Sequence, residues 1–248
     1  MKFNDMSNAL IQGITSINSK FFHFQLDNSR GVHFQDVTIK APEDSPNTDG
    51  IHIGNSNNIS ANGLEISTGD DCISIGPGTS NVNISDVYCG PGHGISIGSL
   101  GKYKNEGDVN GIVVRNCTIV RTQNGLRIKS WAPSPPSKVF NVTFEDINVY
   151  YAENPIIIDQ QYCPHSSCSE KGNSQVQISN VKFIDIRGSS ASKVAVTLNC
   201  SKNVPCQGIG LMGLDLTFNG QDTTTATCSN AKVKFNGQQT PSRCTLFS

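Results

Sequence analysis

Three aspartates and a histidine carry the chemistry open to this chain. Asp49, Asp71 and His93 stand 22 residues apart in turn, and Asp70 adds a further carboxyl beside Asp71. Each of the three opens a similar block: Asp49-Gly50-Ile51-His52-Ile53, Asp71-Cys72-Ile73-Ser74-Ile75 and His93-Gly94-Ile95-Ser96-Ile97. One aspartate at such a place is ordinarily a turn or ladder residue. Three carboxylates brought together are different, because like charges that close repel and a purely structural arrangement would avoid them. Carboxyl groups whose pKa values are pushed apart, one protonated and one ionised, are what hydrolysis of a glycosidic bond requires. Two later blocks, Asn124-Gly125-Leu126-Arg127-Ile128 and Asn154-Pro155-Ile156-Ile157-Ile158, continue the series. Arg127 and Lys129 alone would read as a solvated face. Beside an acidic cluster they suit a substrate that carries carboxylates, met by a forked guanidinium and a point-charge ammonium.

The elements that must position these residues form a repeat. A second block alternates apolar residues: Val32-x-Phe34-x-Asp36-Val37-x-Ile39, then copies beginning at Ile59, Val82, Ile112 and Val142, and weaker ones at Val181 and Ile209. Period-2 alternation rich in β-branched residues means strands. Short strands recurring every 22 to 30 residues bury a face only when stacked coil upon coil. Leucine-rich spacing is absent, and a propeller blade needs about 40 to 45 residues. The expected fold is therefore all-β, a right-handed parallel β-helix. Adjacent coils lie roughly 4.8 Å apart, so Asp49, Asp71 and His93 should form a ladder up one outer face. Ile or Leu two and four residues further on point inward. The positions between them point outward, as an open floor of Ser74, Gly76, Ser96 and Gly98 that ends in Arg127 and Lys129. Lys20-Phe21-Phe22-His23-Phe24 reads as an earlier copy, with Lys20 in the register of Asp49. The pattern already runs at the first residues, so a single domain over residues 1–248 lacking one or more N-terminal coils is expected.

Charge is balanced, with 19 basic and 20 acidic residues, and no charge run marks a nucleic-acid partner. No apolar run of about 18 residues marks a membrane span, and the first residues lack the apolar core of a signal peptide. The nine cysteines are not spaced for metal, so disulfides and an oxidising compartment are the better reading. The expected setting is secreted, in the extracellular space or cell wall, with the chain a monomer. Nothing calls for a cofactor or a metal.

The segments Asn47-Thr48-Asp49-Gly50, Gly69-Asp70-Asp71-Cys72, Gly92-His93-Gly94 and Arg127-Ile128-Lys129 resemble, in order and spacing, the four signature motifs of the polygalacturonases, glycoside hydrolase family 28. Residues 16–24 and 90–103 look most like the plant, pollen-type exo-acting members. The resemblance implies hydrolysis of α-1,4-galacturonosidic bonds in polygalacturonate, with inversion at the anomeric carbon. Inversion requires room for a water between acid and base, roughly 6.5–9.5 Å. By the same resemblance Asp70 is the general acid, Asp49 and Asp71 hold and deprotonate the water, and His93 tunes the acid. Arg127 and Lys129 bind the substrate carboxylate, and Tyr162 contacts the substrate. A Cys72–Cys89 bridge also matches the family's pattern.

Proximity pairs Cys163 with Cys168, Cys200 with Cys206 and Cys228 with Cys244, although connectivity is not deducible from sequence. Cys117 falls in an inward register and reads as a buried free thiol. Sequons stand at Asn58, Asn83, Asn116, Asn141 and Asn199. Other readings stay open: endo action, a calcium-dependent lyase on the same fold, a rhamnogalacturonan hydrolase, or a solenoid that only binds wall polymer or acts as an allergen.

Overall fold

In the computed structural model, which describes residues 1–164 and 172–246, the chain winds into a solenoid of parallel strands. One sheet of ten strands stacks Phe24–Asp27, Ile51–Gly54, Ile73–Ile75, Ile95–Leu100, Asn124–Trp131 and Asn154–Tyr162 in spatial order, with further strands at both ends. The other sheet holds thirteen strands, among them Asn57–Ser67, Ser80–Cys89, Val109–Val120 and Ser137–Ala152. Among the described residues, only Asp215–Phe218 with Asp222–Thr223 pairs antiparallel. The winding is right-handed, the hand that crossovers between parallel strands almost always take.

Register follows the repeat. Val32, Ile59, Val82, Ile112, Val142, Val181 and Ile209 pair in succession. In the ten-stranded sheet Phe24, Ile51, Ile73, Ile95, Leu126 and Ile156 do the same. Both rows are fully buried. Each coil bends after the first apolar pair of the long strand, where Asp36, Gly63, Asp86, Asn116 and Asp146 take φ between 50° and 66°. Only Gly, Asn and Asp visit that region readily, so these positions in the repeat are turn seats.

The earliest copy departs from its expected register. Phe24, not Phe22, pairs with Ile51, and the His23 N–H donates to the Asp49 carbonyl at 2.8 Å. Phe22 therefore holds the register of Asp49, two residues on from Lys20. An apolar residue on the outside of the coil imitated an inward slot: Phe22 stacks on the outward His52 at 4.7 Å between centroids.

Disulfides join Cys72 to Cys89, Cys200 to Cys206 and Cys228 to Cys244. Cys117 is buried with a free thiol, which burial pushes up to about 12. The bridge expected between Cys163 and Cys168 lies outside the described residues.

Candidate active site

The acids sit where three consecutive coils enter the ten-stranded sheet. Asp49, Asp71 and His93 each precede the paired row of Ile51, Ile73 and Ile95 by two residues, so they are stacked as the spacing predicts. Backbone close approach explains the glycines around them. A Cβ on Gly94 (φ +86°) would stand 1.9 Å from the Asn124 carbonyl oxygen. One on Gly69 would stand 2.1 Å from the Ser45 oxygen, where the turn of Ser45 and Thr48 folds over the acids. There Thr48 Oγ1 accepts the Gly69 N–H at 3.0 Å.

The three carboxyls live in different surroundings. Asp71 is buried, and both its oxygens are taken. Oδ1 accepts from Arg127 Nη2 at 2.7 Å and Ser96 Oγ at 2.7 Å, and Oδ2 accepts from Lys129 Nζ at 2.9 Å. Burial opposes its charge, but Arg127 and Lys129 prevail and hold the carboxyl down to about 2. Asp49 is also buried, and its one side-chain hydrogen bond among the described residues comes from Ser74 Oγ, which donates to its Oδ2 at 2.6 Å. Burial, with the charges of Asp71 and Asp70, pushes it up to about 8. At neutral pH one buried aspartate is ionised and its neighbour holds a proton, the split that two close carboxyls reach when they cannot both ionise. Asp70 is the member that opens outward. Its Oδ1 lies 3.0 Å from His93 Nδ1 and accepts the Asp71 N–H at 2.8 Å.

Asp70, His93, Arg127, Lys129 and Tyr162 line one cleft of about 400 Å3, with Asn47 and Gln123 at its edges. Of the catalytic and substrate-binding residues expected from the sequence, these five line the cleft, Asp71 is bonded to Arg127 and Lys129 of its wall, and Asp49 stacks beside Asp71 on the adjacent coil. Lys129 Nζ stands 5.3 Å from the Tyr162 ring centroid, within cation–π range.

The floor differs from the expected open surface. Ser74, Ser96, Arg127 and Lys129 do point out of the coil, yet all are at most 8% exposed: Arg127 reaches back over Ser96 and Lys129 over Gly98 to Asp71. Sequence reasoning treated Ser74 and Ser96 only as small floor residues and passed over His52. Here the serines donate to the acids, and His52 Nδ1 lies 2.7 Å from Ser74 Oγ. The available signal was the pairing of each acid with a hydroxyl three residues into the next coil's block.

Ligand atoms of Asp70, Asp71 and His93 come within 4.8 Å of one another, a spacing that could suit a cation. The donor set fits one poorly. Both oxygens of Asp71 already face positive side chains, and an added cation would sit against Arg127 and Lys129.

The chain belongs to glycosyl hydrolases family 28, whose model matches residues 1–239. It is 47% identical over 242 residues to an exopolygalacturonase of Platanus acerifolia, covering 97% of this chain and 64% of that protein. It is 48% identical over 246 residues to an exopolygalacturonase of Arabidopsis thaliana, covering 99% and 55%. The chain thus spans between about half and two thirds of these relatives' length. Its fold is similar to the crystal structure of endo-xylogalacturonan hydrolase from Aspergillus tubingensis. The TM-score is 0.83 at 25% identity, over 95% of this chain and 67% of that one.

Proposed function

We propose that this chain hydrolyses α-1,4-galacturonosidic bonds of polygalacturonate with inversion, and that it acts from chain ends. The supporting observation is the cleft that sets the Asp70–His93 pair opposite Arg127, Lys129 and Tyr162. It offers an acid for the leaving oxygen and two cations for a sugar carboxylate. Asp70, held against His93, protonates the leaving oxygen. The attacking water lies against Asp49 and Asp71, with Asp49 donating to it and Asp71 accepting its proton.

Asp71 is too acidic for that step while Arg127 and Lys129 both clasp it. A galacturonate carboxylate entering the cleft competes for the same two cations, and each contact it takes returns basicity to Asp71. Base strength then appears only when the correct substrate is bound. Neutral sugars would leave Asp71 clamped, which accounts for a hydrolase selective for acidic polymer without a metal or cofactor.

Exo action is supported by the likeness to the two plant exopolygalacturonases, whereas the fungal structural neighbour is an endo-xylogalacturonan hydrolase. The disulfides favour an oxidising, extracellular setting such as the cell wall, where a monomer would meet pectin. Reducing-end release from polygalacturonate tests the activity, and its absence would leave a wall-binding solenoid. Viscosity falling faster than reducing ends appear would make the enzyme endo-acting. Proton NMR should show the β-anomer as first product from the α-linked polymer, and an initial α-anomer would refute inversion.

A further inference from the structure

Behind each buried acid stands a hydroxyl, and behind each hydroxyl a nitrogen. Asp71 accepts from Ser96 Oγ at 2.7 Å, and Ser96 Oγ accepts from Arg127 Nε at 2.9 Å. Asp49 Oδ2 is linked to Ser74 Oγ at 2.6 Å, and Ser74 Oγ lies 2.7 Å from His52 Nδ1. The register that sets His52 beside Ser74 builds the second series. The two series differ in their last member. A guanidinium only donates, so the single hydroxyl hydrogen of Ser96 goes to Asp71. An imidazole nitrogen donates or accepts, so the series behind Asp49 has two hydrogen arrangements open to it.

The imidazole is held in place from several sides. Phe22 stacks on it at 4.7 Å between centroids, with the ring planes 21° apart. Gly76 lies against its edge, where a Cβ would already touch Cε1 at 3.5 Å and Nε2 at 3.6 Å. His52 also borders a cavity of about 680 Å3 that the loop of Lys102, Tyr103 and Lys104 helps to line. Burial, aided by Lys129 and opposed by Asp71 and Asp27, holds the imidazole below the ordinary histidine range. At pH 7 the ring is therefore neutral and has one hydrogen to place on one of its two nitrogens.

With that hydrogen on Nε2, Nδ1 accepts from Ser74, and Ser74 Oγ in turn accepts from Asp49. The Asp49 proton is then tied up on Oδ2. With the hydrogen on Nδ1, His52 donates to Ser74, and Ser74 donates to Oδ2. The Asp49 proton is then carried on Oδ1, which makes no side-chain hydrogen bond among the described residues. Only this second arrangement leaves Asp49 a hydrogen to give.

We propose that His52 is a positioning residue for the hydrolysis. With its hydrogen on Nδ1 it fixes the direction of the Ser74 hydroxyl, and so keeps the Asp49 proton on Oδ1, the oxygen left for the attacking water. It acts through Ser74 and touches no reacting atom. The proposal rests on the polygalacturonate reading of the cleft.

Nitrogen-15 NMR of the histidine-labelled chain at pH 7 tests the placement directly, with the signals lost in His52→Asn identifying the ring. A neutral imidazole carrying its hydrogen on Nδ1 is expected. Hydrogen on Nε2, or an imidazolium, overturns the proposal. Kinetics on polygalacturonate test the consequence. His52→Phe keeps a ring to stack on Phe22 but has no donor, and should lower kcat by about tenfold or more with KM changed by less than about twofold. His52→Asn, whose amide N–H falls near the place of Nδ1, should restore most of that loss. His52→Gln, which reaches instead toward the place of Nε2, should not. Ser74→Ala should cost as much as His52→Phe, and the two together no more than either alone. A rise in KM at constant kcat would make His52 a substrate contact and defeat the proposal, as would additive losses or equal activity of the Asn and Gln variants. A parent chain that releases no reducing ends defeats the polygalacturonate reading, whereas an active parent with the hydrogen on Nε2 defeats this proposal alone.

Discussion

The two large sheets of this solenoid are built on the same inward rows and differ almost entirely in what they do with their outward ones. On the long sheet, charged neighbours stack across coils in water. Lys40 and Glu65 pair at 3.2 Å and Arg187 and Asp146 at 3.2 Å, every partner about half exposed. On the ten-stranded sheet, Arg127 and Lys129 approach Asp71 at 2.7 and 2.9 Å with side chains less than a tenth exposed. Register supplies both sets of contacts. Burial alone separates a decorative pair, worth about 0–1 kcal/mol, from a cluster in which protons and cations are held in fixed places.

Chemistry offers the largest effect by which this contrast can be tested. Asp70→Asn should lower turnover of polygalacturonate by about 100-fold or more while the melting temperature stays put. A variant that unfolds, or one that keeps full activity, breaks the assignment. Next comes Asp71→Ala, which strands two buried cations and should cost about 3–5 kcal/mol in chemical denaturation. A loss as small as that of a surface pair would mean that water reaches the cluster freely.

The third test uses pH. Asp49 is raised to about 8, so its contribution to stability is whole below pH 4 and drains away as pH climbs through 8. Asp71 is lowered to about 2 and acts in the opposite sense, contributing above pH 4 and losing that contribution as pH falls through 2. Thermal unfolding of Asp49→Asn should therefore show a flatter slope between pH 4 and 8 than the parent chain, and parallel slopes would contradict the buried proton. The smallest effect belongs to the long sheet. Lys40→Ala or Arg187→Ala should change stability by about 0.5 kcal/mol or less, and a larger loss would erase the distinction between the sheets.

Much of this organisation was legible in the sequence because strand alternation leaves little freedom. Once Ile51, Ile73 and Ile95 are inward, Asp49, Asp71 and His93 must stack, and they do. Legibility failed where side chains act across coils. Nothing in the local pattern says that an arginine will fold back over Ser96 to a carboxylate two coils away, so Arg127 and Lys129 read as ligands for a substrate carboxylate at the end of an open floor, and their bonds to Asp71 did not show. Alternation also misled at Phe22, an apolar residue that packs outside on His52. Protonation was legible only as an expectation that the carboxyls would split. Which aspartate holds the proton depends on which one the cations reach, and that is a matter of three-dimensional distance.

The turn seats at Asp36, Gly63, Asp86, Asn116 and Asp146 close each coil in the same way whatever lies elsewhere in it. A coil can therefore lengthen at the ends of its strands without disturbing its neighbours. Ile73 follows Ile51 by 22 residues, whereas Leu126 follows Ile95 by 31. The difference includes the loop of Lys102, Tyr103 and Lys104. Reaction and selectivity are thus written in separable parts of the chain. Growth or trimming of a loop remodels the groove wall while the acids stay in step, whereas one residue added inside Ile73–Ile75 would turn that rung inside out.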